Sequence, residues 1–306
     1  MTWWQAVILG VVEGLTEYLP VSSTGHLLVV QEMLGIGTES EQAKAAANAY
    51  AICIQGGAII AVLGLYWQRV KQCSIGWAGK VGVGSGDEAG FRIGLNMLVA
   101  FTPAVAVGLV FEDWIESRLF GLWPIVTAWF VGGVAILATV WWKKTRSDGQ
   151  DKGLGLDAMT WRMALAIGLI QCLAMWPGTS RSLVTIVGGV LVGMSLASAV
   201  EFSFLLGVIT LCAATVYKAV LDTTVVVVDG QPQEMVMVLA MAEQYGWTNM
   251  VVGSVAAWAS AVAAVTWMVA YLKKHGMEIF GYYRIAIAVV VGGLLVGGLL
   301  KSPAFG

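Results

Sequence analysis

The chain has 306 residues, 58% hydrophobic and 12% charged, with a mean hydropathy of +0.79 and a formal net charge of −2. Soluble domains carry roughly twice that share of charge, so the composition excludes a soluble enzyme and indicates a polytopic membrane protein. The net charge of −2 says nothing about nucleic acid, and no nucleic-acid partner is expected. The four cysteines (Cys53, Cys73, Cys172, Cys212) are scattered without a CxxC pair and read as small apolar helix residues.

The first apolar run, residues 3–19, is a poor signal peptide: no basic residue precedes it and two carboxylates lie within it. It stops at Pro20, and a second run, 22–34, ends at Gly35 and Gly37. Each is short for a ~30 Å hydrocarbon core, which needs about 20 residues. Two short segments joined at a Pro/Ser/Gly turn predict a re-entrant hairpin, whose bare backbone must be buried in protein or line a wet cavity. Spans follow at 47–67, 93–111 and 123–142. A second broken pair, 161–176 and 182–193, hinges at Pro177-Gly178, and further spans run over 199–217, 250–272 and 283–300. The expectation is one all-α polytopic membrane domain over 1–306, with two re-entrant hairpins and about six full transmembrane helices.

Arg69, Lys71 and Lys80 share one connection, Lys143, Lys144, Arg146 and Lys152 a second, and Lys273 and Lys274 a third. The positive-inside rule puts these in the cytoplasm. The connections holding Glu112, Asp113 and Glu116, and Asp222, Asp229, Glu234 and Glu243, are acidic and read as external. The sides alternate correctly if neither broken pair crosses. The Gly-rich stretch VGVGSG (81–86) lacks a following GK[ST] and reads as a linker rather than a phosphate loop.

AVILGVVEGLTEYLP (6–20) resembles ALAIGLIQCLAMWP (164–177): Gly10 falls on Gly168, Glu13 on Gln171, and Ser23 on Ser180 after one gap. This predicts an inverted repeat, 1–111 against 160–272, with 123–142 and 283–300 as additional spans. Such folds place ligand sites near the midplane, where broken helices meet.

The chemistry gathers at the two turns, because polar groups are costly inside a bilayer and are kept there mainly for function. Glu13 and Glu17 share a helix face, and two close carboxylates suit a divalent ion, Mg²⁺ or Ca²⁺, that also binds phosphate. Ser22, Ser23 and Thr24 follow Pro20, and Thr179, Ser180 and Ser182 surround the second turn. Capping accounts for one hydroxyl at each turn. The rest, with the amides of a helix start, suit an anion. His26 falls on the face of Ser23. Arg181 reads as the only arginine within the apolar core of the second half, and its guanidinium matches phosphate oxygens. A buried pair with Glu13, Glu17 or Glu201 is the alternative, and the empty protein can hold both. Gln55 and Glu201 are weaker candidates behind the site, and His275 in KKHG reads as interfacial.

EGLTEYLPVSSTGH and PGTSRS resemble the two signature motifs of bacterial undecaprenyl pyrophosphate phosphatases, also called bacitracin-resistance proteins. The likeness extends to QGGAIIAVL, TPAVAVGLVFEDWIE and EFSFLL, most of the chain in order. It implies an integral enzyme of the bacterial plasma membrane, active site outward, that removes one phosphate from undecaprenyl pyrophosphate. Glu13, Glu17, Ser22, Ser23, His26, Ser180 and Arg181 match the family's functional positions. The bulky pair Leu183-Val184 departs from the small residues frequent there. On this reading Ser23 attacks, Glu17 or His26 takes its proton, and Arg181 stabilises charge. An attacking His26 or water is the rival within the class. The rival of another class is a transporter or lipid flippase, for which the same repeat would serve. The oligomeric state, homodimer included, is left open.

Overall fold

The computed structural model describes residues 1–38, 41–146, 153–221, 223–228 and 231–300. Each half of the chain runs through one series: two short helices, a long one, a short one, two long ones. The first half gives α1 (Trp3–Thr16), α2 (Ser23–Leu34), α3 (Glu41–Leu65), α4 (Trp67–Lys80), α5 (Glu88–Leu119) and α6 (Leu122–Arg146). The second gives α7 (Trp161–Gln171), α8 (Arg181–Leu191), α9 (Leu196–Val216), α10 (Met237–Tyr245), α11 (Trp247–Leu272) and α12 (Glu278–Val296). Among the described residues six helices, α3, α5, α6, α9, α11 and α12, are long and apolar enough to cross a membrane. The 14, 12, 11 and 11 residues of α1, α2, α7 and α8 fall short of a ~30 Å core at ~1.5 Å per residue.

The short pairs end where proline removes an amide and fixes the backbone. Each is then clasped by the other half. α1 lies along α11, and α7 along α5. Small residues permit this close approach. A Cβ on Gly10 would fall 2.2 Å from the Gly253 carbonyl oxygen, and one on Gly168 would fall 2.4 Å from that of Ala100. α6 and α12, the sixth helix of each half, pack on one another.

Three connections differ from the sequence expectation. The basic stretch after α3 is the helix α4, with Cys73 and Gly76 buried against the start of α5. α5 continues through the acidic stretch to Leu119. The acidic segment before α11 holds an antiparallel ribbon, β1 (Thr223–Val228) with β2 (Gln231–Val236), and then α10. Lys152, Asp222 and Asp229 lie outside the described residues, as do the side chains of Glu112, Asp113, Glu116 and Arg146. The main core joins both halves: Tyr18 and Val62 meet Ile167, Phe204 and Val265. Leu183 and Val184 are buried in it, which gives that bulky pair a packing role.

Candidate active site

Beyond each proline the chain enters a helix through a serine with left-handed backbone, φ 75° at both Ser22 and Ser180. Among described non-glycine residues no others have positive φ. Such a conformation costs on the order of 1–3 kcal/mol and persists only where the surroundings enforce it. Each serine caps its helix: Ser22 Oγ accepts the Gly25 amide at 3.5 Å, and Ser180 Oγ accepts the Leu183 amide at 3.3 Å. Ser22 and Ser180 are therefore equivalent. The sequence pairing of Ser23 with Ser180 is off by one, because the turn after Pro177 holds one residue more than the turn after Pro20. Ser23 and Arg181 are the true counterparts, the first residue of α2 and of α8.

These two residues converge on Glu17. Ser23 Oγ donates to Glu17 Oε2, and Arg181 Nη2 donates to Glu17 Oε1 at 3.2 Å. All three are buried or nearly so. Arg181 Nη1 donates to the Ser203 carbonyl at 2.9 Å, and its guanidinium lies 5.4 Å from the Tyr18 ring centre. Gly207 makes room, since a Cβ there would sit 2.2 Å from Nη1. Arg181 Nε is buried without a partner, so the guanidinium keeps a donor in reserve. Ser180 and Ser182 are within hydrogen-bond distance of each other at 3.0 Å, and Ser182 Oγ donates to the Leu19 carbonyl at 2.9 Å, tying the second turn to the first.

His26 is held at both nitrogens. Nδ1 is 2.6 Å from the Ser22 carbonyl, so it carries the proton. Nε2 is then the acceptor, 2.8 Å from the Tyr283 hydroxyl, with the two rings stacked at 5.7 Å. Tyr283 escaped the sequence reading because a tyrosine at a span's start resembles an interfacial anchor.

Arg284 overturns the reading of Arg181 as the only core arginine of the second half. Its side chain is fully buried and donates to no carboxylate. Nη1 reaches the Pro20 carbonyl at 3.3 Å, and Nη2 reaches Gly178 at 2.9 Å and Ala128 at 2.8 Å. Nε completes the set on the Trp129 carbonyl at 3.3 Å. One guanidinium thus joins both turns to α6. Trp129 adds a bond from its indole to the Val21 carbonyl at 2.9 Å. The available signal was a charge inside the apolar run IFGYYRIAIAVV.

Other expected site residues lie apart. Thr24 is exposed and Thr179 half-buried, and neither side chain makes a hydrogen bond. Gln55 is half-buried on α3, also without one. Glu201 is bound to Arg69 Nε at 2.6 Å rather than to Arg181, so the alternative of an Arg181–Glu201 pair falls away. Glu13 and its repeat counterpart Gln171 are both buried, and Glu13 Oε1 and both polar atoms of Gln171 lack partners. Among the described residues no three His, Cys, Asp or Glu side chains gather to hold a metal. Glu13 and Glu17 fit a hard dication that takes its remaining ligands from phosphate and water. The unpartnered oxygen of Glu13 is the observation that favours this fit.

A model of the family described as bacitracin resistance protein BacA matches residues 6–290. An undecaprenyl-diphosphatase of Sorangium cellulosum is 38% identical over 292 residues, covering 95% of this chain and 86% of the relative. Undecaprenyl-diphosphatase 2 of Rhodospirillum rubrum is 38% identical over 300 residues, covering 98% of this chain and 97% of the relative. The undecaprenyl-diphosphatase of Ectopseudomonas mendocina is 38% identical over 290 residues, covering 94% and 92%. With the match spanning both turns and reaching into α12, the chain belongs to the BacA bacitracin resistance family.

Proposed function

We propose that this protein is a membrane undecaprenyl-diphosphatase. It hydrolyses undecaprenyl pyrophosphate to undecaprenyl phosphate and inorganic phosphate, returning the lipid carrier to cell-wall synthesis. The names of its relatives support this. The observation that carries it is the chain of contacts Ser23–Glu17–Arg181, a hydroxyl, a carboxylate and a guanidinium supplied by two separate turns. Moving a lipid across a bilayer requires no such hydroxyl–carboxylate contact, and the transport alternative is not favoured.

In this reading Ser23 Oγ attacks the terminal phosphorus in line, Glu17 takes its proton, and the bond to the bridging oxygen breaks. Undecaprenyl phosphate leaves with that oxygen. Water then attacks the phosphoserine, Ser23 leaves and recovers its proton from Glu17, and the water's protons stay with the phosphate. Arg181 offers Nε and Nη donors to the transferred oxygens, as do the helix-start amides of Ser23 and Arg181. His26 is not the nucleophile in this reading, since both ring nitrogens are engaged; bonded to the Ser22 carbonyl and to Tyr283, it positions the first turn. Glu13 and Glu17 would hold Mg²⁺ or Ca²⁺, whose charge would offset that of the pyrophosphate.

The two broken pairs then dip into the bilayer of the bacterial plasma membrane without crossing it. Lys143, Lys144, Lys273 and Lys274 line one cavity, marking the cytoplasmic end. Arg284 ties the turns to Ala128 and Trp129, roughly 10 Å along α6 from Leu122 and over 20 Å from Lys144, at ~1.5 Å per residue. This depth supports a site that opens toward the outer side. The test is phosphate release from farnesyl pyrophosphate in detergent, with acid-quench trapping of phosphoenzyme. Wild type releases phosphate, and release by Arg181→Ala and Glu17→Ala falls by about a hundredfold or more. Undiminished release by both variants overturns the site, and no release by wild type overturns the enzyme.

A further inference from the structure

A cavity of about 830 Å³ opens between the end of α6, the turn from α11 to α12, and the α8–α9 junction. Its rim carries Lys143, Lys144, Lys273 and Lys274, with Glu278 as the carboxylate among its lining residues. Lys144 is bound to Glu278 at 2.7 Å, and Lys273 and Lys274 stand beside that pair. Lysines outnumber carboxylates among the described lining residues, which makes the mouth cationic. The wall below is apolar, built from Val140 of α6, Val190 of α8 and Leu272 of α11. Trp141, Trp267 and Tyr282 are exposed at this level, as aromatic side chains are where hydrocarbon meets headgroups.

Tyr271 stacks on His275 at 4.5 Å and accepts the Lys274 and His275 amides at 3.0 Å each. Gly276 lies against the Glu278 carboxylate, 2.1 Å from where its Cβ would fall. This fixes α11, Lys273 and Lys274 against the start of α12. A cationic rim over a greasy wall at headgroup depth matches one class of ligand, a phospholipid with a net negative headgroup and an acyl chain. We propose that this cavity is a binding site for an anionic phospholipid of the leaflet on the lysine-rich side, separate from the turns that carry the Ser23 site. A zwitterionic lipid offers the chain without the net charge, and free phosphate offers the charge without the chain.

The test uses the full-length protein, delipidated in neutral detergent and titrated with phosphatidylglycerol, phosphatidylcholine or inorganic phosphate. Retained lipid is read by native mass spectrometry and protection by the thermal midpoint. Phosphatidylglycerol is expected to bind about tenfold or more tighter than phosphatidylcholine. A surface lysine contributes about fivefold, so Lys273→Gln/Lys274→Gln loses about 25-fold in phosphatidylglycerol affinity while Lys273→Arg/Lys274→Arg keeps it. Farnesyl pyrophosphate turnover by the Gln variant checks that it is folded. The proposal is overturned if the two lipids bind alike, if the folded Gln variant binds phosphatidylglycerol as wild type does, or if inorganic phosphate protects equally well.

Discussion

The turn after Pro20 and the turn after Pro177 share one backbone device and divide the chemistry between them. Both enter a helix through a left-handed serine that caps it, and both follow a short helix pressed against the opposite half through a glycine. At the next position the first turn has Ser23 and the second has Arg181. One helix earlier, Glu13 in α1 and Gln171 in α7 hold matching positions of the repeat and are both buried. The first turn thus holds the acid, hydroxyl and imidazole, and the second holds the cation. The difference shows that a repeat can keep its frame while its two copies become complementary rather than redundant. The contact with Glu17 is where they meet.

The sharpest way to break this comparison is to empty the first turn. Ser23→Ala should lower phosphate release by a thousandfold or more, on the order seen for lost nucleophiles, and abolish the trapped phosphoenzyme. Emptying the second turn should cost less: Arg181→Ala loses about 10²–10³ in rate, the scale of one charge-stabilising donor, and Arg181→Lys recovers part of it in the same assay. Exchanging the counterparts sharpens the comparison. Glu13→Gln should reduce activity about 10–100-fold and flatten its dependence on added Mg²⁺ or Ca²⁺, whereas Gln171→Glu should leave that dependence in place and lower the thermal midpoint. Chelation should stop wild type and change Glu13→Gln little. The smallest effect on chemistry is expected where neither turn's reacting groups are touched. Arg284→Met leaves the Pro20 and Gly178 carbonyls without their buried donor. It should cost about 1–3 kcal/mol of stability in detergent unfolding.

The spans were legible because a bilayer makes length and hydropathy decisive, and Pro20 and Pro177 marked the breaks. Glu17, Ser23, His26 and Arg181 were legible as a polar cluster in apolar surroundings. α4, α10 and the β ribbon were not, because amphipathic and polar segments outside the membrane lack that constraint. The register of Ser23 against Arg181 depended on a one-residue difference in turn length that only the backbone reveals. Arg284 was illegible for another reason. Its partners are carbonyls of Pro20, Ala128, Trp129 and Gly178, and carbonyls leave no trace in side-chain identity.

That guanidinium has a mechanical consequence. Repeat-built carriers work by rocking one half against the other about a central site. Here a single side chain grips the broken segment of each half at once, so any such tilt would strip it of its acceptors deep in hydrocarbon. The grip favours a stationary jaw, in which the lipid headgroup comes to the protein and leaves by the way it entered.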